Sequence, residues 1–312
     1  MSVTACRGTQ LRCRSWRAEA LLRLLENVLE VGERPEELVV YASIGKAVKD
    51  WDAYRQITDA LRRLGEDQTL VLQTGRPVAV LNTHAAAPMV VSAVNNTVGN
   101  WATEERFYSR LAEHKTIWGG LTAAAWQYIG RQGVLGGTYE LLRAALGRHF
   151  QETTAPHRWV LTAGLGGMGS SQPISARMLQ LSTLTVEADP AKLSRLHATG
   201  GLDLVLDDLS EALAAVTTAT AKRCPSAVGL LGNAAEIFPA IAASDALPDI
   251  VTDQTAAHDA RYGYLPSGYT LESWAEARAT DPERVERDAR VSMATQVRAM
   301  LALRQRGSVV FE

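Results

Sequence analysis

The stretch that decides the fold runs from residue 159 to residue 189. It begins with Trp159-Val-Leu-Thr-Ala-Gly-Leu-Gly-Gly-Met-Gly169, an apolar, strand-like run that ends in a turn with three spaced glycines. Residues 170–180 have a helical composition, and Leu184-Thr-Val-Glu187 reads as a second strand that ends in an acid. Strand, glycine turn, helix and acid-ended strand occur in the order that a dinucleotide-binding βαβ unit requires.

Each glycine of this turn has a distinct expected role. Gly164 permits the tight turn, Gly166 lets backbone N–H groups approach a pyrophosphate, and Gly169 lets the helix pack close to its strand. The helix N-terminus adds positive dipole beside the phosphates. Glu187 can accept hydrogen bonds from a ribose and would repel the extra phosphate of NADP. The pattern therefore predicts an NAD site; the alternative is a glycine-rich βα turn that binds nothing.

Strands and helices continue to alternate after this unit, which predicts an α/β fold with a doubly wound parallel sheet. The candidate strands are 202–206, 226–232 and 249–254, and a last one begins at Val309. The candidate helices are 190–197, 207–221, 235–243 and 281–306, the last with apolar residues at 285, 289, 293, 297, 300 and 301. Ligands bind at the carboxyl ends of parallel strands. We therefore expect residues 164–169, 187, 233–234 and 254–258 to share one crevice.

The first part of the chain predicts a second set of elements. Helices are expected at 16–29, 46–64 and 103–113, and strands at 38–41, 69–74 and 78–81. Ala42-Ser-Ile-Gly-Lys46 resembles a phosphate loop but lacks the Walker spacing, so a strand-to-helix turn is the better interpretation. Small residues and aromatics fill 117–138, which permits close approach either of two helices or of backbone to a ligand. A helix at 139–150 follows.

Composition excludes several classes of function. The 312 residues carry a net charge of −2 with acids and bases mixed, which argues against a nucleic-acid or anionic-membrane partner. The three cysteines match no zinc pattern and no disulfide framework, so no metal site is predicted. Neither a signal-peptide core nor an apolar run of 18 residues is present, so a cytoplasmic location is expected.

These residues together resemble the urocanase (urocanate hydratase) family. The resemblance rests on several family-specific strings: Gly32-Glu-Arg-Pro-Glu-Glu-Leu-Val-Val-Tyr41, Trp159 through Gly169, Gly229-Leu-Leu-Gly-Asn-Ala-Ala235, Asp253-Gln-Thr-Ala-Ala-His-Asp259, Gly263-Tyr-Leu-Pro-Ser-Gly268, and Ser292-Met-Ala through Met300-Leu301. It extends over nearly the whole chain.

The resemblance implies a fold and an activity. Residues 1–128 would be the N-terminal portion of the family's α/β core domain, and 129–312 a Rossmann-like NAD domain whose C-terminal helix returns to the core. The implied reaction belongs to histidine breakdown. NAD⁺ acts as an electrophile, forms an adduct with urocanate or a related heteroaromatic imidazole-acrylate, and water addition gives imidazolonepropionate.

The cofactor contacts implied by the resemblance can be placed residue by residue. They are Gly167, Met168, Gly169, Glu187, Lys192, Asn233, Ala234, Gln254, Thr255, Ala256, Ala257, His258, Tyr264 and Leu265. No catalytic residue is assigned. A small-molecule substrate is implied, together with a homodimer or a second polypeptide that supplies the family's C-terminal region.

The chain also departs from the family pattern. Ala42-Ser43 replaces a Gly-Gly pair, Gly120 replaces a glutamine, and Lys192 replaces an arginine. The chain ends before the region that carries the family's active-site cysteine. Cys224 is expected to be a buried structural thiol, and Cys13 is expected to have a structural role. Two alternatives therefore stay open: a non-catalytic or partner-dependent paralogue that binds NAD, and a divergent enzyme with another substrate.

Overall fold

The polypeptide forms two compact units. The computed structural model describes residues 3–120, 122–128 and 130–311, and the division falls between Met1–Gly130 and Arg131–Glu312. Leu121 and Ile129, which belong to the small-residue stretch, and Met1, Ser2 and Glu312 at the termini lie outside the described residues. Within the described ranges, no helix is long and apolar enough to cross a membrane.

The first unit combines helices with a three-stranded sheet. Its elements are α1 (Trp16–Glu30), a 3-10 helix (Pro35–Glu37), β1 (Val39–Tyr41), β2 (Gly45–Lys46), α2 (Trp51–Arg63), β3 (Gln68–Gln73), β4 (Arg76–Asn82), β5 (Val90–Ala93), a 3-10 helix (Gly99–Trp101) and α3 (Glu104–Ala112). The central strand β3 runs antiparallel to β4 and parallel to β5. The apolar faces of α1 and α2 pack on the buried Leu70 and Leu72 of β3. The sequence does not predict strand β5, because this strand has only four residues and so shows little alternation of polar and apolar side chains.

The second helix begins later than predicted. Asp50 accepts a hydrogen bond from the backbone N–H of Ala53 at 2.7 Å and so caps α2. Lys46, where the sequence predicts the helix start, instead pairs with Val39 in a short antiparallel ladder. Residues 42–44 are therefore a turn between β1 and β2, and the predicted strand-to-helix turn is wrong.

This turn holds two consecutive residues in the left-handed region. Ala42 has φ +53° and Ser43 has φ +66°, although neither is a glycine. Arg34 donates to the carbonyl oxygen of Ser43, and Glu33 accepts from its backbone N–H at 3.2 Å, so both sides of the turn are fixed. A left-handed conformation costs an L-residue roughly 1–2 kcal/mol. The turn is thus built for glycine and held against that cost by its neighbours.

A buried carboxylate fixes the N-terminal segment to α1. Glu19 is fully buried, accepts from the backbone N–H of Arg12 at 2.8 Å, and pairs with the guanidinium groups of Arg12 and Arg23. Burial opposes ionisation, but the hydrogen bonds from Arg23 and Arg12 outweigh it and lower the pKa of Glu19 to about 2. Burial, and then the charge of Glu19, raises the pKa of the nearby Cys13 thiol to about 11, so Cys13 stays protonated. This agrees with a structural role for Cys13.

The second unit contains the glycine turn. Its elements are α4 (Arg131–Ala145), a π-helix (Leu146–Phe150), β6 (Trp159–Ala163), α5 (Ser171–Met178), β7 (Ser182–Glu187), α6 (Pro190–Ala198), β8 (Leu204–Leu206), α7 (Leu209–Ala221), β9 (Ala227–Leu231), α8 (Ala234–Ala242), β10 (Ile250–Val251), α9 (Leu271–Thr280), α10 (Pro282–Gln305) and β11 (Val309–Val310). Helix α4 begins eight residues before the predicted start, and α9, which a Thr270–Ser273 capping box opens, was not predicted.

Six strands form one parallel sheet in the order β11-β10-β6-β7-β9-β8. Side chains of one face pack on α7, α8 and α10, and those of the other face pack on α4, α5 and α6. The predicted doubly wound parallel sheet is therefore confirmed. The strand order reverses between β6 and β10, which places the glycine turn at a topological switch point.

Two expectations about side chains are wrong. Val297 and Leu301 belong to the apolar series read along α10, yet they are 51% and 48% exposed, while Ser292 and Gln296 face inward. Ser292 and Gln296 face inward because both side chains form hydrogen bonds with the segment around 264–267. Cys224, expected to be buried, is exposed, because Arg223 at φ +52° turns the chain outward after α7.

Replacing Ala42 and Ser43 by glycine is expected to stabilise the first unit slightly. Relief of the left-handed strain outweighs the extra entropy of the unfolded chain, so the free energy of unfolding should rise by about 1 kcal/mol for the pair. Urea unfolding measures the change. Ala60→Gly, inside α2, is the control and should lower the free energy of unfolding by about 1 kcal/mol. If the glycine variant at 42–43 were destabilised by the same amount, the strain argument would be contradicted.

Acid should weaken the first unit through Glu19. Because the folded-state pKa lies below the unfolded value of about 4.3, the stabilisation is complete above that pH and is lost as the pH falls toward 2. Glu19→Gln should lower the free energy of unfolding by about 3 kcal/mol at pH 7. Between pH 6 and pH 3, the free energy of unfolding should fall less in this variant than in the parent. Urea unfolding at both pH values tests this. Asp59→Asn, which breaks an exposed pair with Arg62, should change stability by less than about 1 kcal/mol.

Candidate functional site

The glycine turn brings two strand ends into close backbone contact. Gly164 follows β6 with φ +86°, and a Cβ there would overlap the carbonyl group of Gln254 and lie 2.8 Å from the backbone nitrogen of Thr255. A Cβ on Gly169 would overlap the carbonyl group of Gly164. Both glycines are therefore required by the protein's own packing. Their positions agree with the tight turn and the close helix–strand packing expected of them.

The middle of the turn is different, because it faces open space. A Cβ on Gly166 would meet no atom within 4 Å. Within the described part of the chain, the backbone N–H groups of Gly167, Met168 and Gly169 donate to no protein acceptor. Three consecutive unpaired amides ahead of a helix form an arrangement that binds anions. Met168 is 42% exposed, so the turn is accessible from outside the unit.

Glu187 connects this turn to the end of β7. One carboxylate oxygen accepts from the N–H of Leu165 at 2.6 Å, and the other accepts from the N–H of Asp189 at 3.0 Å. Lys192 lies 3.9 Å from the carboxylate. The side chain is buried to 8% exposure. A carboxylate has about four lone-pair positions, so roughly two remain for hydroxyl donors.

The segment after β10 forms a compact polar turn opposite the glycines. The Asp253 carboxylate accepts from the Thr255 N–H at 3.0 Å and from its hydroxyl, and Gln254 donates to the Asp253 carbonyl at 2.8 Å. Ala256 is half-buried, while Ala257 and His258 are exposed. The side chains of Gln254 and Thr255 therefore bond mainly to their own turn, and the surface presented here is largely backbone.

Asn233 and Leu265 are joined directly. The Asn233 side chain caps α8 by accepting from the Ala235 N–H at 2.9 Å, and it donates to the Leu265 carbonyl at 3.0 Å. Ala234 begins the helix behind it. Asn233 thus holds the 264–265 segment at the sheet edge, and both ends of its amide are used within the chain.

Tyr264 has a partner that sequence reasoning missed. Its hydroxyl donates to the Gln296 side-chain oxygen at 2.7 Å, and the two residues are 4% and 2% exposed. Burial, and then the charge of Asp253, raises the pKa of Tyr264, so the hydroxyl stays protonated and remains a donor. In the sequence, Gln296 differs from other polar residues of α10 only by lying one turn after Ser292, which is weak evidence by itself.

Contacts link several of the strand ends that were expected to share a crevice. Direct contacts join Leu165 to Glu187, Gly164 to Gln254, and Asn233 to Leu265, and the charge of Asp253 acts on Tyr264. His258 is exposed at the margin. Among the described residues, no cluster of three or more His, Cys, Asp or Glu side chains is arranged to hold a metal ion.

The glycine at position 120 is explained by the structure of the first unit. Gly120 has φ +57°, and a Cβ there would overlap the hydroxyl of Tyr41. The same hydroxyl accepts from the Thr122 N–H at 3.3 Å. A side chain at position 120 would therefore displace Tyr41, so the glycine is part of the local packing.

Comparison with known families gives two matches. Residues 3–127 match the family model described as the urocanase N-terminal domain, and residues 130–312 match the model described as the urocanase Rossmann-like domain. The two matches lie side by side and together cover nearly the whole chain.

Removing the Tyr264 hydroxyl should destabilise the second unit. In Tyr264→Phe the buried Gln296 side-chain oxygen loses its donor, and we expect a loss of about 1–3 kcal/mol in the free energy of unfolding. In Tyr264→Phe combined with Gln296→Leu, no polar group is left unpaired, so part of the loss should be recovered. Urea unfolding of the four proteins forms a double-mutant cycle, and a coupling energy near zero would contradict the assigned bond.

Proposed function

Because the chain belongs to the urocanase family, we propose that it is a urocanase-like hydratase. It binds NAD at the glycine turn and acts on urocanate or a related imidazole-acrylate. The observation that carries the proposal is the row of three unpaired amides at 167–169, with open space at Gly166 and the Glu187 carboxylate alongside.

The residues present fit a dinucleotide. The amides of Gly167, Met168 and Gly169 would hold the pyrophosphate, since they lie just before α5 and have no acceptor among the described residues. Glu187 would accept from a ribose, because it is already oriented by Leu165 and keeps lone pairs available. Its negative charge favours NAD over NADP. Lys192 stays near this carboxylate but lacks the planar fork of an arginine.

The other strand ends would position the nicotinamide half. Asn233 holds Leu265, Gln296 holds the Tyr264 hydroxyl, and the polar turn at 253–255 presents its backbone beside Gly164. When bound, NAD⁺ supplies an electrophilic carbon for the electron-rich imidazole, and water addition then gives imidazolonepropionate. The protein's part is to bind, orient and shield the reacting groups from bulk water.

The proposal is tested first on the purified chain. Denaturation followed by mass spectrometry detects bound NAD, and loss of ultraviolet absorbance follows the consumption of urocanate. Release of NAD together with consumption supports both parts of the proposal. Bound NAD without consumption favours a non-catalytic or partner-dependent protein, or another substrate. Absence of NAD, with none bound after addition, contradicts the proposed site.

Gly166→Ala should separate cofactor binding from folding. The new methyl group meets no protein atom, so the Tm should stay within about 2 °C of the parent. It would enter the open space at Gly166, where we propose that the pyrophosphate approaches, so NAD affinity should fall by roughly tenfold or more, which is about 1.4 kcal/mol. Isothermal titration calorimetry with NAD and thermal unfolding measure the two effects.

Gly136→Ala is the matched control for this variant. A Cβ at Gly136 also meets no atom within 4 Å, and this residue of α4 is not among the proposed cofactor contacts. It should keep the parental NAD affinity. Equal affinities for the parent and Gly166→Ala would place the pyrophosphate elsewhere and overturn the assignment.

A further inference from the structure

A layer of polar side chains lies inside the second unit. Thr162 on β6, Thr183 and Thr185 on β7, and Thr252 just after β10 are each at most 1% exposed. They share the sheet face of Val160 and Ile250, which pack on α4 and α5. A parallel sheet covered on both faces normally carries valine, isoleucine and leucine at such positions. The threonines are therefore an exception that needs a cause.

Three of these threonines form a row across neighbouring strands. Thr162 is the register partner of Thr185. The backbone N–H of Thr252 donates to the Leu161 carbonyl at 2.9 Å, which places Thr252 beside Thr162 on the opposite side. The row ends at Gly229, the partner of Thr185 on β9, where a Cβ would lie 2.7 Å from side-chain atoms of Leu193 and Leu202. Apolar side chains fill the space beyond it.

The hydroxyl groups of these threonines have no partner in the described chain. The same is true of the side-chain oxygen of Gln172. Gln172 lies on α5 four residues before Ala176, so it occupies the sheet-facing side of that helix, one turn nearer the glycine turn. Leaving buried hydroxyl and amide groups unpaired is costly. Thr183 is the register partner of Val160 and so lies one step below the row. The other four such atoms, those of the row and of Gln172, indicate a common partner.

The chemistry of the layer restricts what that partner can be. Thr162, Thr185, Thr252 and Gln172 are all neutral, so the layer has no counter-charge for an ion. A hydroxyl offers one donor and two acceptors, whereas the glutamine oxygen only accepts. Ser171 and Ser175, also on α5, already donate to the carbonyls of Met168 and Leu135 at 2.6 and 2.9 Å. A molecule that both donates and accepts is required.

We infer that ordered water molecules occupy this layer and bridge Thr162, Thr185 and Thr252 to the Gln172 side-chain oxygen. Water needs two to four polar partners to be held inside a protein, and the layer provides them. The bridges connect the sheet to the first turn of α5, directly after the amides of the glycine turn. Water thus fixes the helix start from the sheet side. These waters would be held by the fold of this unit alone, whether or not the proposed cofactor is bound.

A crystal structure of the full chain, at a resolution that shows ordered water, tests the inference directly. We expect at least one water within about 3.2 Å of the Thr162 hydroxyl and of a second polar atom of the layer. A map without such density overturns the inference. Hydroxyl groups turned to strand carbonyls in the same map also overturn it.

Isosteric variants give a second, independent measurement. Thr162→Val combined with Thr185→Val removes two hydroxyls without changing shape, so the bridging density should disappear and the Tm should fall by roughly 2–4 °C or more. Thr162→Ser, which keeps the hydroxyl, is the control and should keep the density. If the layer holds no water, each hydroxyl is buried without a partner, and its replacement by a methyl group should leave the Tm equal or raise it. An equal or higher Tm of the valine variant would therefore overturn the inference. If the double variant does not fold, the map of the parent protein decides.

Discussion

The architecture of the second unit depends on one steric constraint, the close approach of two strand ends at the switch point of the sheet. Gly164 and Gln254 are so near that no side chain fits between them, and Gly169 lies equally close to Gly164. These contacts fix where α5 begins relative to β6 and β10. The amides that follow, at 167–169, have no acceptor among the described residues. The property that makes the turn suitable for an anion is therefore a consequence of its packing.

The carboxylate of Glu187 extends this constraint to the next strand. It bonds the N–H of Leu165 inside the turn, while the Glu187 carbonyl accepts from the N–H of Gly232 at 3.0 Å at the end of β9. Three successive strand ends are thus connected through one residue. A substitution at Glu187 would disturb the turn as well as the proposed ribose contact, so its effects on stability and on binding have to be measured separately.

Much of the second unit could be predicted because its signals are local. Asp189, Asp208 and Asn233 each cap the helix that follows, and the spaced glycines mark the turn within a few residues. The features that escaped prediction depend on distant partners. The place of β9 between β7 and β8 is a matter of tertiary pairing, and Gln296 faces inward only because Tyr264, 32 residues earlier, is there to bond it. In the first unit, the left-handed turn at Ala42 and Ser43 contradicts the local preference of both residues, so only the surrounding contacts reveal it.

The distribution of buried polar groups connects stability with the site. Lower on the α4–α5 face of the sheet, Val160 and Ile250 pack on apolar side chains of the helices, with Thr183 beside Val160. One step nearer the carboxyl edge, the same strands carry Thr162 and Thr252, and the helix above carries Gln172 in place of an aliphatic residue. An apolar layer would be held by packing alone, which tolerates small shifts of a helix. Hydrogen bonds through the proposed waters would restrict those shifts, at the place where the start of α5 determines the position of the amides at 167–169. The proposed layer would therefore exchange some hydrophobic stabilisation for a more exact placement of the glycine turn.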